Sequence, residues 1–193
     1  MPKEQLNGMT GKILRINLST KEVTQEKYNQ DLIKKYLGGR GLGIYYLFSE
    51  VRPNVEPLGK ENKLIFFNGP LAGTLIPGNN KINVTFVSPL SKSYSYSLCG
   101  GHWGPELKYT GYDGLIIEGY SPNPVYLWIS GDKTEIRDAH KIWGKKIPET
   151  EELIKKEIGA DKRFHSAVIG PAGEQLNKYA CITTGFYREF GRG

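Results

Sequence analysis

Apolar and polar residues alternate from Gly11 to Leu18, placing Leu14, Ile16 and Leu18 on one face, which predicts a strand. Ser19-Thr20-Lys21-Glu22 reads as a turn and Val23 to Tyr28 as the return strand, so a β-hairpin comes first. Asp31 to Leu37 reads as a short helix closed by Gly38-Gly39. Gly41 to Glu50 reads as a second helix, with Leu42, Tyr45, Tyr46 and Phe48 as its apolar contacts. The run Lys63 to Phe67 predicts a buried strand, and Ile82, Val84 and Phe86 alternate along another that stops at Ser88-Pro89. Asn83-Val84-Thr85 matches a glycosylation sequon but reads as part of that strand. Ser91 to Ser97 alternates serine and tyrosine, as an edge strand does.

Further on, Gly104 to Tyr109 predicts a short helix and Leu115 to Glu118 a strand. Val125 to Ile129 and Thr134 to Arg137 pair around Ser130-Gly131-Asp132. Pro148 to Ile158 carries the strongest helix signal, with Pro148 in the first turn, glutamates near the positive end of the dipole and Gly159 at the stop. Ser166 to Ile169 and Tyr179 to Thr183 read as strands separated by a Gly-Pro turn. Strands outnumber helices and hairpins recur, which predicts an α+β fold: a mainly antiparallel two-sheet platform with a few short helices. At 193 residues the chain reads as one domain, 1–193.

Composition narrows the partners. The net charge is +6, but Lys and Arg are interleaved with Asp and Glu, as in Lys141 to Arg163. That reads as mixed surface charge and argues against nucleic acid. No apolar run approaches the ~20 residues of a membrane span, and Met1 to Lys12 lacks the apolar core of a signal peptide. A cytoplasmic protein is expected. Two cysteines, Cys99 and Cys181, make neither a disulfide framework nor a metal quartet. Both read as structural thiols, Cys181 inside an apolar strand.

Four features carry candidate chemistry. Gly38-Gly39-Arg40-Gly41-Leu42-Gly43 gives no register of G-x-G-x-x-G and follows a helix, so it reads first as a corner needing positive φ and second as a phosphate contact through Arg40. His102, His140 and His165 are far apart in sequence and make no HxxxH spacing. Gly100-Gly101 precedes a short helix, and the missing Cβ atoms admit either a tight turn or a flat ligand against the backbone, with Tyr94, Tyr96 and Trp103 as candidate walls. Gly185 to Gly193 is a Gly/Arg segment that reads like a phosphate loop.

Taken together, TGKILRINLSTKEV, YLGGRGLGIYYL, ENKLIFFNGPLAGT, GGHWGPELKYTGYDGLIIEG, PVYLWI, IRDAHKIWGKK, VIGPAGE and FGRG, in this order, resemble the N-terminal domain of the tungsten-containing aldehyde ferredoxin oxidoreductases. The resemblance runs from about Gly11 to Gly193. It implies an enzyme that oxidises aldehydes to acids at a tungsten bis-pterin, molybdenum being the alternative metal, and sends electrons through a [4Fe–4S] cluster to ferredoxin. It implies that this domain carries the pterin, while following domains supply the cluster cysteines, so that the chain alone binds no cluster. By position, Lys81 corresponds to a family arginine bridging pterin and cluster; lysine keeps the charge and loses the bidentate fork. Gly100 and Gly101 correspond to a close-approach surface for the pterin. Leu98 and Glu189 correspond to residues beside the magnesium that joins the pterin phosphates, through main-chain carbonyls. Arg188, Gly191, Arg192 and Gly193 correspond to a phosphate-facing loop. No residue stands out as a catalytic acid or base. The expected partners are the C-terminal domains or a catalytic subunit and, through the whole enzyme, ferredoxin; a homodimer is possible in principle. The alternatives are a stand-alone pterin-binding scaffold subunit and an inactive truncated remnant.

Overall fold

The computed structural model describes residues 8–159, 164–185 and 187–191. The order is β1 (Lys12–Asn17), β2 (Glu22–Lys27), α1 (Gln30–Tyr36), α2 (Gly39–Glu50), β3 (Lys63–Asn68), β4 (Ile82–Val87), β5 (Tyr94–Cys99), α3 (Trp103–Tyr109) and β6 (Gly114–Glu118). β7 (Val125–Ser130), β8 (Lys133–Asp138), α4 (Ile147–Glu157), β9 (Ala167–Val168), α5 (Gly170–Glu174), β10 (Thr183–Thr184) and β11 (Arg188–Glu189) follow. Six strands form the main sheet in the order β2-β1-β6-β3-β4-β5. All its pairings are antiparallel except β1 with β6.

The central strands are buried on both faces, because adjacent residues on a strand point to opposite sides. Leu14, Phe66 and Leu115 join one core, whereas Ile13, Ile65, Phe67 and Ile116 join another. The second core is covered by α1 and α2 through Ile33, Leu42, Tyr46 and Leu47. The first lies under two smaller sheets, β7-β8 and β11-β10-β9, whose vicinity contributes Leu127, Ile129, Ile136, Ile182 and Phe190. This is the expected α+β platform, with α1 and α2 on one side of the main sheet and α3 together with the lesser sheets on the other.

Three local expectations are corrected. On α2, Leu47 is buried and Phe48 is 89% exposed. The helix is apolar almost all round, so its sequence does not determine its phase. Gly170-Pro171 begins the one-turn helix α5 instead of a turn. The last long strand shrinks to Thr183–Thr184, leaving Cys181 outside it. The corner at Gly38-Gly39 behaves as read: Leu37, Gly38 and Gly39 all have positive φ. A Cβ on Gly41 would lie 2.1 Å from the Tyr36 carbonyl oxygen, so only glycine lets the two helices meet there.

An ion-pair network ties α2 to the sheet. Arg15 donates to both Glu50 oxygens and to Glu26, and Lys63 donates to Glu50 at 2.6 Å and to Glu118. Burial by itself would raise the Glu50 carboxyl, but hydrogen bonds from Arg15 and Lys63 outweigh it and hold the group below its usual 4.5. A depressed carboxylate contributes stability that is present above the unfolded value and lost as pH falls through the folded one. Wild type should therefore lose stability on acidification below pH 4.5, and Glu50→Gln should lose less over that window. Urea midpoints measured from pH 7 down to 3 check this.

Candidate functional site

The strand register builds the site. Asn68 lies opposite Ile82, and Ile82 opposite Cys99. Continuing each strand by one residue aligns Gly69, Lys81 and Gly100 along one end of the main sheet. Beyond the β5 edge, Leu98 and Gly191 exchange backbone hydrogen bonds, the Leu98 N–H donating to Gly191 at 3.1 Å and the Gly191 N–H to the Leu98 carbonyl at 3.2 Å. That bridge brings β11 alongside. A Cβ on Gly101, whose φ is +98°, would lie 2.9 Å from Arg188 Cδ and 3.0 Å from Nη1. The Arg188 side chain therefore lies across Gly101. A Cβ on Gly100 would meet nothing within 4 Å, so the backbone there is open to a ligand.

Local packing explains why β11 sits here. Phe190 is buried against Phe66 and Trp103, with ring centroids 5.6 and 6.2 Å away. Cys99 is buried, with its sulfur 3.3 Å from Thr184 Oγ1, and that hydroxyl donates to the Arg188 carbonyl at 3.1 Å. Burial pushes the Cys99 thiol up, which suits a structural thiol and not a nucleophile. Lys81 is exposed. No ion pair among the described residues uses Lys81 or Arg188.

The helix α2 starts at this same end. A Cβ on Gly38 would lie 2.9 Å from the Asn68 carbonyl oxygen and 3.5 Å from Gly69 Cα. Arg40 stands over the Tyr96 ring at 4.6 Å, which keeps the second reading of that glycine corner geometrically open. Lys108 is a contributor that the chain pattern did not mark. Its ammonium donates to the carbonyls of Gly69 at 2.9 Å, Pro70 at 3.1 Å and Gly8, and burial lowers its pKa. It clamps the loop that leads into Lys81. Only tertiary structure gathers three carbonyls around one lysine, and no sequence signal announces it.

One expectation about side chains fails. Trp103 packs with Phe66 in the core beneath the lesser sheets, while Tyr94 and Tyr96 stack on each other at 6.1 Å. These residues line no common wall, because Trp103 is held on the core face by Phe66 and Phe190. His102 and His165, distant in sequence, have ring centroids 5.4 Å apart. Among the described residues, no group of three or more His, Cys, Asp and Glu is disposed to hold a metal ion. Leu98 is bridged to Gly191, two residues beyond Glu189 at the end of β11. Arg192 and Gly193 lie outside the described residues.

Fold and site together define an α+β domain with a basic, glycine-lined end to its main sheet. Residues 13–193 match the family Aldehyde ferredoxin oxidoreductase, N-terminal domain, and the chain belongs to that family. It is 50% identical over 185 residues to the tungsten-containing aldehyde ferredoxin oxidoreductase of Thermococcus kodakarensis, covering 96% of this chain and 30% of the relative. It is 48% identical over 186 residues to the enzyme of the same name from Pyrococcus furiosus, covering 96% and 31%. The chain thus spans about 30% of the length of these relatives. Among solved structures it resembles the active site complex BamBC of benzoyl coenzyme A reductase in complex with 1,5-dienoyl-CoA, with a TM-score of 0.93 and 43% identity over 97% of this chain and 28% of the other. No helix among the described residues is long and apolar enough to cross a membrane.

Proposed function

We propose that residues 1–193 form a single tungstopterin-binding domain of an aldehyde:ferredoxin oxidoreductase, an enzyme that turns aldehydes into carboxylic acids and passes electrons through a [4Fe–4S] cluster to ferredoxin. The observation that carries this reading is the convergence of Lys81, Gly100, Gly101 and Arg188 at one end of the main sheet. The open backbone at Gly100 suits a flat ring system that needs close approach. The unpaired charges of Lys81 and Arg188 suit phosphates. The main-chain carbonyls of Leu98 and Glu189 suit a magnesium ion between those phosphates. Gly191, with Arg192 and Gly193 after it, continues the same loop.

When bound, the metal–dithiolene centre supplies the redox chemistry. This chain's residues bind and neutralise it. Cluster ligands are assigned to the rest of the polypeptide or to a catalytic subunit, since Cys99 is committed to packing. The exposed side chains of Leu71, Leu75 and Ile76, on the loop before Lys81, support a surface that such domains cover. That these relatives are tungsten-containing enzymes favours tungsten over molybdenum. Because a benzoyl coenzyme A reductase complex shares this fold at 43% identity, choice of substrate is assigned to the other domains.

The test is metal analysis of the assembled enzyme. Arg188→Ala removes charge-assisted hydrogen bonds of roughly 1.5–3 kcal/mol, so tungsten content should fall about tenfold or more. Gly100→Val should lower it comparably by blocking the backbone. Full tungsten occupancy in both variants would sink the reading.

A further inference from the structure

The short helix α3 (Trp103–Tyr109) touches both sides of the candidate site. It starts just after Gly100-Gly101, and its last two residues reach the loop that leads into Lys81. The Lys108 ammonium donates to the carbonyls of Gly69 at 2.9 Å, Pro70 at 3.1 Å and Gly8, so three carbonyls match its three N–H donors. The Tyr109 hydroxyl donates to the Gly73 carbonyl at 2.7 Å. A Cβ on Gly73, whose φ is +79°, would lie 2.9 Å from the Tyr109 ring, so the ring lies against that backbone. The Gly73 N–H in turn donates to Asn80 Oδ1 at 3.2 Å, and Asn80 is the residue before Lys81. A path of contacts therefore runs from α3 through Gly73 and Asn80 to Lys81.

Stability alone does not explain Lys108. No carboxylate pairs with it among the described residues, and burial lowers its pKa more than the field of Asp113 raises it. A cation drawn out of water in this way is costly. What three convergent carbonyls provide is a fixed geometry for the chain that bears them. The pairing of Ile82 with Cys99 sets the Lys81 backbone beside Gly100. It does not set where the exposed Lys81 side chain points, because its four-carbon stem is flexible. The loop before Lys81 restricts that choice.

We propose that Lys108 and Tyr109 are positioning residues: they hold the loop 69–80 so that the Lys81 ammonium meets an anionic ligand lying on Gly100-Gly101. This rests on the reading of that end as the tungstopterin site. Neither residue contacts the ligand in this arrangement, and both act through Lys81. Preorganising a charge lowers the ordering cost at binding, so loss of either fastening should appear as lost occupancy while the fold stays intact.

The experiment measures tungsten in the assembled enzyme for Lys108→Met, Tyr109→Phe, Lys81→Ala and the two double variants that include Lys81→Ala. Tyr109→Phe removes one hydroxyl from an exposed ring, so it decides the matter even where Lys108→Met fails to assemble. Lys81→Ala and Lys108→Met should each lower tungsten about tenfold, and Tyr109→Phe about threefold. In the Lys81→Ala background either change should add less than about twofold. A merely structural residue lowers tungsten by the same factor whether or not Lys81 is present, so equal factors in the two backgrounds would overturn the proposal. Full tungsten in both Lys108→Met and Tyr109→Phe would overturn it as well, and so would full tungsten in Lys81→Ala. Arg188→Ala separates this failure from that of the cofactor reading: tungsten lost there but retained in Lys108→Met and Tyr109→Phe would sink the positioning role alone.

Discussion

Asp113→Ala is expected to lower the melting temperature by roughly 10 °C, corresponding to about 3–5 kcal/mol in a domain of this size. Asp113 is fully buried. Its carboxylate accepts from the Thr10 N–H at 3.0 Å, the Thr10 hydroxyl at 2.9 Å, the Gly11 N–H at 2.7 Å and the Tyr28 hydroxyl at 2.6 Å. The backbone joins in: the Asp113 N–H donates to the Lys12 carbonyl at 2.9 Å, and the Asn68 N–H donates to the Asp113 carbonyl at 2.8 Å. Alanine leaves four donors without an acceptor, and the entry to β1 loses its anchor. Burial, reinforced by the hydrogen bond to Asp113, pushes the Tyr28 hydroxyl far above its usual range, so it stays a donor at any working pH. Tyr28→Phe removes one donor and leaves the carboxylate its other three, so it should cost only about 1.5–3 kcal/mol. Thermal unfolding followed by circular dichroism ranks the two. Equal effects would mean that the other three bonds contribute nothing.

Phe67→Ala should cost about 3–5 kcal/mol. The ring is 0% exposed and sits in the core beneath α2 with Ile13, Ile65 and Ile116. It stacks on Tyr46 at 5.5 Å with planes 15° apart. A Cβ on Gly114 would lie 2.6 Å from two of its ring carbons, so the sheet is built around its shape. The urea midpoint should fall while the slope stays constant. The control is Phe48→Ala, which at 89% exposure should stay within about 0.5 kcal/mol of wild type.

These two phenylalanines mark how far the chain pattern reaches. Phe67 sits in a short apolar run that reads as a buried strand, and it is one. Phe48 sits on a helix where Leu42, Tyr45, Tyr46 and Leu47 leave no clear polar face, and the pattern pointed to the wrong neighbour. Asp113 reads locally as a turn residue, because its partners Thr10 and Gly11 lie about a hundred positions away. The candidate site behaves alike. Gly100-Gly101 was visible as a ligand surface or a tight turn, and the resemblance to a family, not the spacing, associated it with Arg188. The contact itself follows from the Leu98–Gly191 bridge and from the burial of Phe190.

What the sequence by itself determined is local: hairpin ends, strand periodicity, glycine corners with positive φ, and the termini of α4. Their physics acts between residues a few positions apart. Tertiary structure alone decided the strand order with β1 parallel to β6, which face of α2 is buried, and where the lesser sheets stop short of each other. It also decided which cations share one end of the main sheet. Those outcomes depend on contacts across long stretches of chain, where many arrangements share one local pattern and only the packing of complete surfaces separates them.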